Sequence, residues 1–171
     1  MAQGVVKPNQ RPYRVLFVCL GNICRSPAAE IIFRRQVSDT GRDDDFEIDS
    51  AGTLDYHEGA SPDPRMSETL KQRGYTISGQ ARQIQKADLD YFDLIVTMDQ
   101  SNYTDVKNLD QTLEFYSKIQ PLVGFCSKHD DKHVPDPYYG GQEGFEHVAR
   151  LLEDGCAGIL NHALHIVPMN S

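Results

Sequence analysis

The chain contains a short apolar segment that runs straight into a tight polar loop and a helix start, and this feature constrains its fold most. Residues 14–19 read Arg-Val-Leu-Phe-Val-Cys, a composition typical of a buried central strand in a parallel sheet. A Gly-Asn pair then ends the strand. Ser26 and Pro27 have the form of an N-cap followed by proline in the first helical turn. We therefore expect a helix over 27–38 directly after the strand.

Strand-like and helix-like segments alternate along the rest of the 171 residues. Their patterns predict, in order, strand 46–51, loop 52–65, helix 66–74, strand 93–98, a helix opening at 99–102, a fourth strand within 115–125 and a last helix after Gly140-Gly141. Such alternation predicts an α/β fold with helices on both faces of a parallel sheet. We expect a three-layer sandwich with a four-stranded parallel sheet, forming one domain over 13–171 after a flexible N-terminal tail over 1–12.

The acidic composition argues against several classes of partner. The net charge is −8, whereas proteins that bind nucleic acid or anionic lipid normally present a basic surface. No segment approaches the ~20 apolar residues of a membrane-spanning helix, and the tail lacks the apolar core of a secretory signal. Four cysteines without such a signal fit a reducing compartment. We therefore expect a cytoplasmic protein with no nucleic-acid or membrane partner.

The segment from Cys19 to Ser26 carries the chemistry. It lies between a strand and a helix start, where open α/β sheets bind their ligands. Unpaired amides at a helix start and in a tight glycine loop make a cradle for anions, and Arg25 adds a fork of donors that fits a tetrahedral anion. The predicted phosphate-binding residues are Leu20, Gly21, Asn22, Ile23, Cys24, Arg25 and Ser26.

Cys19 is the candidate nucleophile of this segment. The positive potential of a helix start favours the thiolate form of a cysteine, and the hydroxyl of Ser26 is placed to donate a hydrogen bond to the sulfur. A thiolate that faces a phosphate-shaped ring of donors predicts attack on phosphorus and a phosphocysteine intermediate. Without Arg25 and Ser26, a core residue at the end of the strand would be the better interpretation of Cys19.

The sequence predicts neither a metal nor a cofactor. Cys19 and Cys24 lack the C-x2-C spacing of structural metal sites, and the loop lacks the Gly-Lys-Ser/Thr of a nucleotide P-loop. No pair of the six histidines has convincing ligand spacing. Residues 128–133, which contain two of these histidines, are expected to form a solvated turn. Two further cysteines are expected to be small packed side chains: Cys126 and Cys156.

The loop near the amino terminus resembles the signature of the low-molecular-weight protein tyrosine phosphatases. The resemblance extends over essentially the whole chain after Pro12. Further motifs that match are Ser50-Ala51-Gly52, Ala81-Arg82-Gln83, Met98-Asp99 and Asp136-Pro137-Tyr138-Tyr139. This resemblance implies a phosphatase I-like fold of flavodoxin-like topology. It also implies hydrolysis of phosphotyrosine in proteins without metal or cofactor, and binding of phosphate or similar oxyanions in the active site.

The resemblance also assigns roles to individual residues. It implies Cys19 as the nucleophile, Arg25 as the clamp on the transition state and Asp136 as the general acid. The supports that it implies for the loop are Asn22, Ser26 and Ser50. One position departs from the family pattern. Some members carry a histidine where this chain has Gly79, so bracing by that imidazole must be missing or replaced.

Asp136 is also the acid that the chemistry favours. A carboxylic acid that protonates the leaving phenolate oxygen eases its expulsion, and the following proline stiffens the loop. Asp63 and Asp99 are instead predicted helix N-caps, with Asp99 a further support of the site. The adjacent aromatic rings offer flat apolar surface. The predicted substrate slot is too deep for phosphoserine to reach the sulfur and is walled by Tyr56, Tyr138 and Tyr139.

Cys24 is placed to form a disulfide with an oxidised Cys19 and so to protect it. A packed thiol is the simpler interpretation of Cys24, and the resemblance favours the protective role.

Three other functions stay open at this stage. Arsenate reduction on the same fold needs a relay of further cysteines, and Cys126 and Cys156 do not lie where such a pair is expected. By resemblance, protein-arginine phosphatases favour a threonine where this chain has Ile23. A catalytically weak phosphotyrosine-binding module would need neither a nucleophile nor an acid, so the joint presence of Cys19 and Asp136 argues against it.

Overall fold

A four-stranded parallel sheet forms the centre of the molecule. The computed structural model describes residues 11–167, except for the side chain of Tyr139. The strands are β1 (Tyr13–Cys19), β2 (Phe46–Gly52), β3 (Leu94–Thr97) and β4 (Ile119–Pro121), and their order across the sheet is β2-β1-β3-β4. This is the strand order of flavodoxin-like folds, as the resemblance implies.

Five α-helices of the described residues cover the two faces of this sheet. They are α1 (Arg25–Asp39), α2 (Pro64–Gln72), α3 (Lys86–Tyr91), α4 (Gln100–Leu109) and α5 (Gln142–Ile166). Side chains of β1 alternate between two cores. Val15 and Phe17 belong to the core with α1, α2 and α5, whereas Leu16 and Val18 belong to the core with α3 and α4. The predicted three-layer α/β architecture is therefore confirmed.

The longest helix, α5, packs along α1 and against a 3-10 turn, Leu122–Phe125. Two glycines of α5 allow this close approach. A Cβ added at Gly158 would overlap the backbone carbonyl of Phe125, and one added at Gly155 would overlap the side chain of Leu122. Because a backbone carbonyl cannot move aside as a flexible side chain does, the helix requires glycine at position 158.

Aspartates begin two of the helices, as the sequence predicts. Asp63 precedes α2, and its carboxylate accepts hydrogen bonds from the first-turn amides of Arg65 and Met66. Asp99 precedes α4 and accepts from the amide of Asn102, whose side chain bonds back to the Asp99 amide. First-turn amides have no partner within the helix, so such caps typically contribute ~1 kcal/mol each. They also fix where the preceding loops end.

The fold differs from the sequence prediction in four places, one of which is that α2 spans Pro64–Gln72 rather than 66–74. α1 begins at Arg25 rather than at Pro27. The segment 115–125 contains only the three-residue β4, between two 3-10 turns, because Pro121 cannot donate to a longer ladder. Helix α3 lies where the sequence predicts no element, since six residues carry too little apolar periodicity to identify a helix.

Most of the predicted N-terminal tail lies outside the described residues. The part that is described includes Arg11, whose guanidinium donates to both carboxylate oxygens of Asp93, at 2.8 and 2.7 Å. Over residues 11–167, no helix has the length and apolar character needed to cross a membrane.

Candidate active site

The β1–α1 loop, residues 20–24, lies at the carboxyl end of the central strand. Cys19 pairs with Gly52 of β2 at this end, and the pairing with β3 ends one residue earlier, at Val18 and Thr97. β1 leads to α1 on one face of the sheet, and β3 leads to α4 on the other. A crevice therefore opens at this edge, where such sheets bind ligands.

Cys19 is the last residue of β1 and is buried. Its Sγ lies 3.0 Å from Oγ of Ser26, in the contact that the sequence predicts. The same Oγ accepts from Nδ2 of Asn22 at 2.8 Å and lies 3.3 Å from the carbonyl oxygen of Ala51. The Ser26 proton thus has two acceptors. If the Cys19 sulfur is ionised, it accepts a hydrogen bond from the Ser26 hydroxyl. If it is a neutral thiol, it can donate a hydrogen bond to the Ser26 Oγ.

Asn22 holds the loop in a left-handed turn. Its φ is 56°, a conformation that asparagine tolerates better than most residues. The buried side-chain amide is bonded at both ends, because Nδ2 donates to Ser26 and Oδ1 accepts from the Arg82 amide at 2.9 Å. The Arg82 amide therefore braces the loop in this chain. Gly79, with a φ of 108°, has a backbone conformation that disfavours any side chain.

Gly52 lies directly behind the β1–α1 loop. A Cβ added there would lie 2.8 Å from the Leu20 carbonyl oxygen and 2.9 Å from the Asn22 amide nitrogen. The chain after Gly52 then runs along the loop, with the amide of Thr53 donating to Cys19 at 2.9 Å and the amide of Leu54 to Leu20 at 3.0 Å. Because both contacts are with backbone, the loop conformation requires glycine at this position.

Arg25, the first residue of α1, is buried, and its guanidinium is held by one nitrogen. Nη1 donates to Asp99 Oδ2 at 2.6 Å and to the Val134 carbonyl at 3.0 Å, while Nη2 lies 3.8 Å from Asp136 Oδ2. Burial lowers the pKa of Arg25, but the charge of Cys19 and the hydrogen bond to Asp99 raise it by more. The guanidinium is therefore a permanent cation in the site.

Asp99 connects this guanidinium to α4. One of its carboxylate oxygens accepts from Arg25, and the other accepts from the Asn102 amide at 2.9 Å. Burial raises the pKa of Asp99, but the hydrogen bonds from Arg25 and Asn102 lower it by more, so the net shift is downward. Asp99 therefore stays ionised and orients Arg25, an arrangement that suits the support predicted for it.

A pocket of about 260 Å³ has Cys19 in its wall. Asp136 lines this pocket with 41% of its side chain exposed, and its Oδ1 accepts from the Tyr138 amide at 3.0 Å. A thiol, a guanidinium and a carboxyl group therefore share one cavity. The lining residues are Cys19, Leu20, Gly21, Ile23, Cys24, Arg25, Leu54, Tyr56, His57, Asp136 and Tyr138.

The pocket brings together most of the predicted site residues and adds two. Leu54 and His57 are not predicted from the sequence, where their position beside Tyr56 is the one signal that could have found them. Asn22 and Ser26 are buried behind the loop rather than in the lining. The predicted contribution of the Tyr139 side chain lies outside what the structure describes.

Ser50 does not bond to the β1–α1 loop, which corrects the prediction that it braces this loop directly. Its hydroxyl donates to Glu30 of α1 at 2.7 Å, and Arg34 donates to the same carboxylate. Ser50 faces α1 from β2, and a carboxylate is a stronger acceptor than a neutral loop oxygen. Any support of the loop by Ser50 is therefore indirect, through α1.

Comparison with known proteins agrees with this geometry. The sequence model of the family described as low molecular weight phosphotyrosine protein phosphatase matches residues 14–166. The chain belongs to this family. A Synechocystis sp. protein, provisionally named as a low molecular weight protein-tyrosine-phosphatase, is 50% identical over 147 residues. The match covers 86% of this chain and 94% of that protein.

Solved structures share the architecture of this low molecular weight phosphatase. A protein tyrosine phosphatase from Entamoeba histolytica matches with a TM-score of 0.87 and 39% identity, over 90% of this chain and 97% of that one. A Drosophila arginine phosphatase matches with a TM-score of 0.81 and 33% identity, over 88% of this chain and 97% of that one. The fold therefore occurs with two different named substrates.

Cysteines of this phosphatase lie in two environments. Burial raises the pKa of the Cys24 thiol, and the negative charge of Cys19 raises it further. The disulfide between Cys24 and an oxidised Cys19 stays a prediction. Cys156 is buried and Cys126 half-buried, as expected of packed thiols. Within residues 11–167, no cluster of three or more His, Cys, Asp or Glu side chains could hold a metal ion.

The segment that leads to Asp136 in this phosphatase is bonded to α5. The buried carboxylate of Asp154 accepts from the amides of Ser127 and Lys128, at 3.0 and 2.9 Å, and lies 2.8 Å from Nδ1 of His129. The expected solvated turn is therefore wrong for His129. The sequence offers no signal for this anchor, because a single aspartate within an amphipathic helix looks like part of its polar face.

Proposed function

We propose that this chain hydrolyses phosphotyrosine in proteins through a phosphocysteine on Cys19. The observation that carries the proposal is the joint placement of Cys19, Arg25 and Asp136 in the wall of one pocket. The thiolate of Cys19 attacks phosphorus, and the bond from phosphorus to the phenolic oxygen breaks. Asp136 protonates that oxygen, so that neutral tyrosine leaves.

The second half of the reaction uses the same groups. Asp136, now ionised, takes a proton from a water molecule whose oxygen attacks the phosphocysteine. The sulfur–phosphorus bond breaks, phosphate leaves, and the Cys19 thiolate and the Asp136 carboxylic acid are both regenerated. The hydroxyl of Ser26 donates to the sulfur as it becomes negative, which stabilises Cys19 as the leaving group.

Charge on the transferring phosphoryl group is neutralised by donors that are already in place. The amides of the β1–α1 loop and of the first turn of α1 bind its equatorial oxygens. Because the hydrogen bonds of Arg25 to Asp99 and Val134 both use Nη1, its Nε and Nη2 remain for two of these oxygens. The reaction needs no metal ion or cofactor in this scheme.

The pocket wall favours an aryl phosphate over an alkyl phosphate. Tyr56 and Tyr138 are exposed aromatic residues of the pocket lining. Tyr139 is the third wall residue that the sequence predicts. A phosphotyrosine ring lies flat against such surfaces, whereas the short side chain of phosphoserine leaves its phosphorus far from the sulfur. Phosphotyrosine-containing proteins are therefore the proposed partners, and the free cysteines suit a cytoplasmic location.

The direct test is hydrolysis of p-nitrophenyl phosphate and of matched phosphotyrosine, phosphoserine and phosphoarginine peptides, with and without a chelator. We expect phosphotyrosine to be the preferred peptide and the chelator to have no effect. Cys19→Ser should be inactive, and Asp136→Ala should lose ~10²–10⁴-fold in kcat/KM for phosphotyrosine. Retention of activity by Cys19→Ser would refute the phosphocysteine route.

Phosphoarginine hydrolysis is the second candidate, because a Drosophila arginine phosphatase shares the fold. The discriminating position is Ile23, which lies in the pocket wall and has no hydroxyl to hydrogen-bond a guanidinium. Preferred turnover of the phosphoarginine peptide by the unaltered protein would replace phosphotyrosine as the substrate while leaving the Cys19 chemistry intact.

A further inference from the structure

Arg65, in the first turn of α2, connects the two loops that form the pocket. Its guanidinium donates to both carboxylate oxygens of Asp63, from Nε at 3.4 Å and from Nη2 at 3.3 Å. Nη1 of the same side chain donates to the carbonyl oxygen of Tyr138 at 3.0 Å. One planar cation therefore bridges the start of α2 and the turn after Asp136.

The Asp63 end of this bridge is fixed to the β1–α1 loop. The amide of Asp63 donates to the carbonyl of Ile23 at 2.6 Å, and its carboxylate caps α2 through the amides of Arg65 and Met66. Asp63 is itself buried. The guanidinium of Arg65 is thus held at a defined position relative to the anion cradle.

The Tyr138 end of the bridge determines where the Asp136 carboxyl lies. Asp136 accepts from the Tyr138 amide within a single 3-10 turn, Pro137–Tyr139. Its Oδ2 is 3.8 Å from the Arg25 guanidinium, which is too long for a hydrogen bond. The Arg65 guanidinium also lies over the rings of Tyr138 and Phe145, with its carbon 5.0 and 4.9 Å from their centroids. The turn is therefore held from the Arg65 side.

We propose that Arg65 is a positioning residue for proton transfer, holding the Asp136 turn over the anion cradle so that the carboxyl reaches the leaving oxygen. This inference rests on the proposed function, in which Asp136 is the general acid. A fork that binds Asp63 with one edge and the Tyr138 carbonyl with another fixes both distance and angle, which a single ammonium group cannot do. A displacement of about 1 Å at such a position can cost ~10²-fold in rate.

The experiment compares leaving groups, because a mispositioned acid affects poor leaving groups most. Arg65→Ala, Asp136→Ala and their double variant are assayed for kcat/KM with p-nitrophenyl phosphate, whose phenol is acidic, and with phenyl phosphate, whose phenol is not. Arg73→Ala is the matched control. Arg73 forms ion pairs with Glu146 and Glu153 of α5, as Arg65 does with Asp63, but it lies at the opposite end of α2 from Arg65. Inhibition by inorganic phosphate reports separately on the anion cradle.

We expect Arg65→Ala to lose ~10–10²-fold with phenyl phosphate and less than about threefold with p-nitrophenyl phosphate. Phosphate inhibition should be unchanged, and the double variant should be no slower than Asp136→Ala with phenyl phosphate. Equal losses with both substrates, additive losses in the double variant, or an equal effect of Arg73→Ala would overturn the inference alone. If Asp136→Ala itself shows no dependence on the leaving group, both the inference and the acid role of Asp136 are overturned.

Discussion

Asn22 and Gly52 shape the β1–α1 loop from opposite sides. Asn22 stabilises the loop from within, because its backbone is left-handed and its side-chain amide is hydrogen-bonded at both ends. Gly52 packs behind the loop, and its lack of a side chain leaves room for the loop backbone. The donors of the site are consequently arranged when the protein folds, so the anion does not have to arrange them on binding.

Substitution of Gly52 tests this preorganisation. Gly52→Ala places a methyl group within 2.9 Å of the loop backbone, so the loop amides must turn from their positions. We expect kcat/KM for p-nitrophenyl phosphate to fall by ~10–10²-fold and phosphate inhibition to weaken, since both depend on donor geometry. Gly124→Ala is the control, because a Cβ at that position has no neighbour within 4 Å. Wild-type phosphate inhibition in Gly52→Ala would contradict the argument.

Residues of the site were predictable where one chemical requirement selects them. Cys19 and Arg25 are identified by the loop motif, and Asp136 by the need for an acid beside aromatic side chains. Arg65 and Leu54 were not predictable, because their importance arises from contacts with residues distant in sequence. Ser50 was misassigned because a serine hydroxyl takes the strongest acceptor in reach, which in this fold is Glu30.

At the scale of elements, α5 is positioned by glycines on one side and by a carboxylate on another. The strands β1 and β3 were predictable because buried parallel strands carry continuous apolar runs, whereas β2 begins with apolar residues that alternate with acidic ones. The helix α3 was not predictable, and β4 was predicted only as a strand somewhere within 115–125, since elements of six and three residues are too short to show a period. The anchor at Asp154 shows no sequence signal, because its partners, two backbone amides and the ring of His129, lie 25 or more residues away in the sequence.

Two glycines of α5 should respond differently to substitution by alanine. Gly158→Ala would overlap the Phe125 carbonyl, so we expect it to lower the free energy of unfolding by about 1–3 kcal/mol. Gly144→Ala meets only Pro137, at 3.7 Å, so the better helix propensity of alanine should leave stability unchanged or raise it by up to ~1 kcal/mol. Urea denaturation measures both. Equal effects of the two substitutions would contradict the packing described for α5.

The Asp154 anchor should make stability depend on pH. Burial raises the pKa of Asp154, but the hydrogen bonds from Ser127 and His129 lower it by more, from 3.8 to about 2. Its contribution, on the order of 2 kcal/mol, is therefore present above about pH 4 and is lost as the pH falls toward 2. Asp154→Asn should destabilise the protein at pH 7 and by about half as much at pH 3, as measured by urea denaturation.

Asp39 provides the control for this pH dependence. It is an exposed aspartate on the surface of α1 that forms an ion pair with Arg35, and such pairs contribute little. Asp39→Asn should leave the free energy of unfolding within about 0.5 kcal/mol of the wild type at both pH values. A destabilisation by Asp154→Asn that is the same at pH 7 and pH 3 would show that the anchor acts through packing rather than charge.

The whole molecule combines a local cradle for anions with a strongly acidic surface. The net charge of −8 was evident from composition. The three-layer architecture was predictable from the sequence, because strand and helix patterns alternate regularly. The pocket shape was not, since it depends on how the segments after β2 and before α5 meet above the sheet edge. Substrates therefore approach a protein of net negative charge before they reach the local cradle for anions.

Ionic strength should distinguish the effect of the overall net charge on substrate encounter from that of the local anion cradle. Raising NaCl from about 20 to about 200 mM should increase kcat/KM about two- to tenfold for a phosphotyrosine peptide with acidic flanks, because salt screens its repulsion from the protein. The same peptide with lysine flanks should show the reverse. Identical trends for both peptides would mean that the overall charge does not influence encounter.

The single proton of the Ser26 hydroxyl, shared between a sulfur and the carbonyl of Ala51, has a spectroscopic consequence. When the sulfur is anionic, it accepts the hydrogen bond from this hydroxyl, and the Ala51 carbonyl loses that bond. When the sulfur is covalently occupied or neutral, the carbonyl regains it. The stretching frequency of a ¹³C-labelled Ala51 carbonyl would therefore follow the chemical state of the nucleophile through every stage of turnover, with no probe attached to the nucleophile itself.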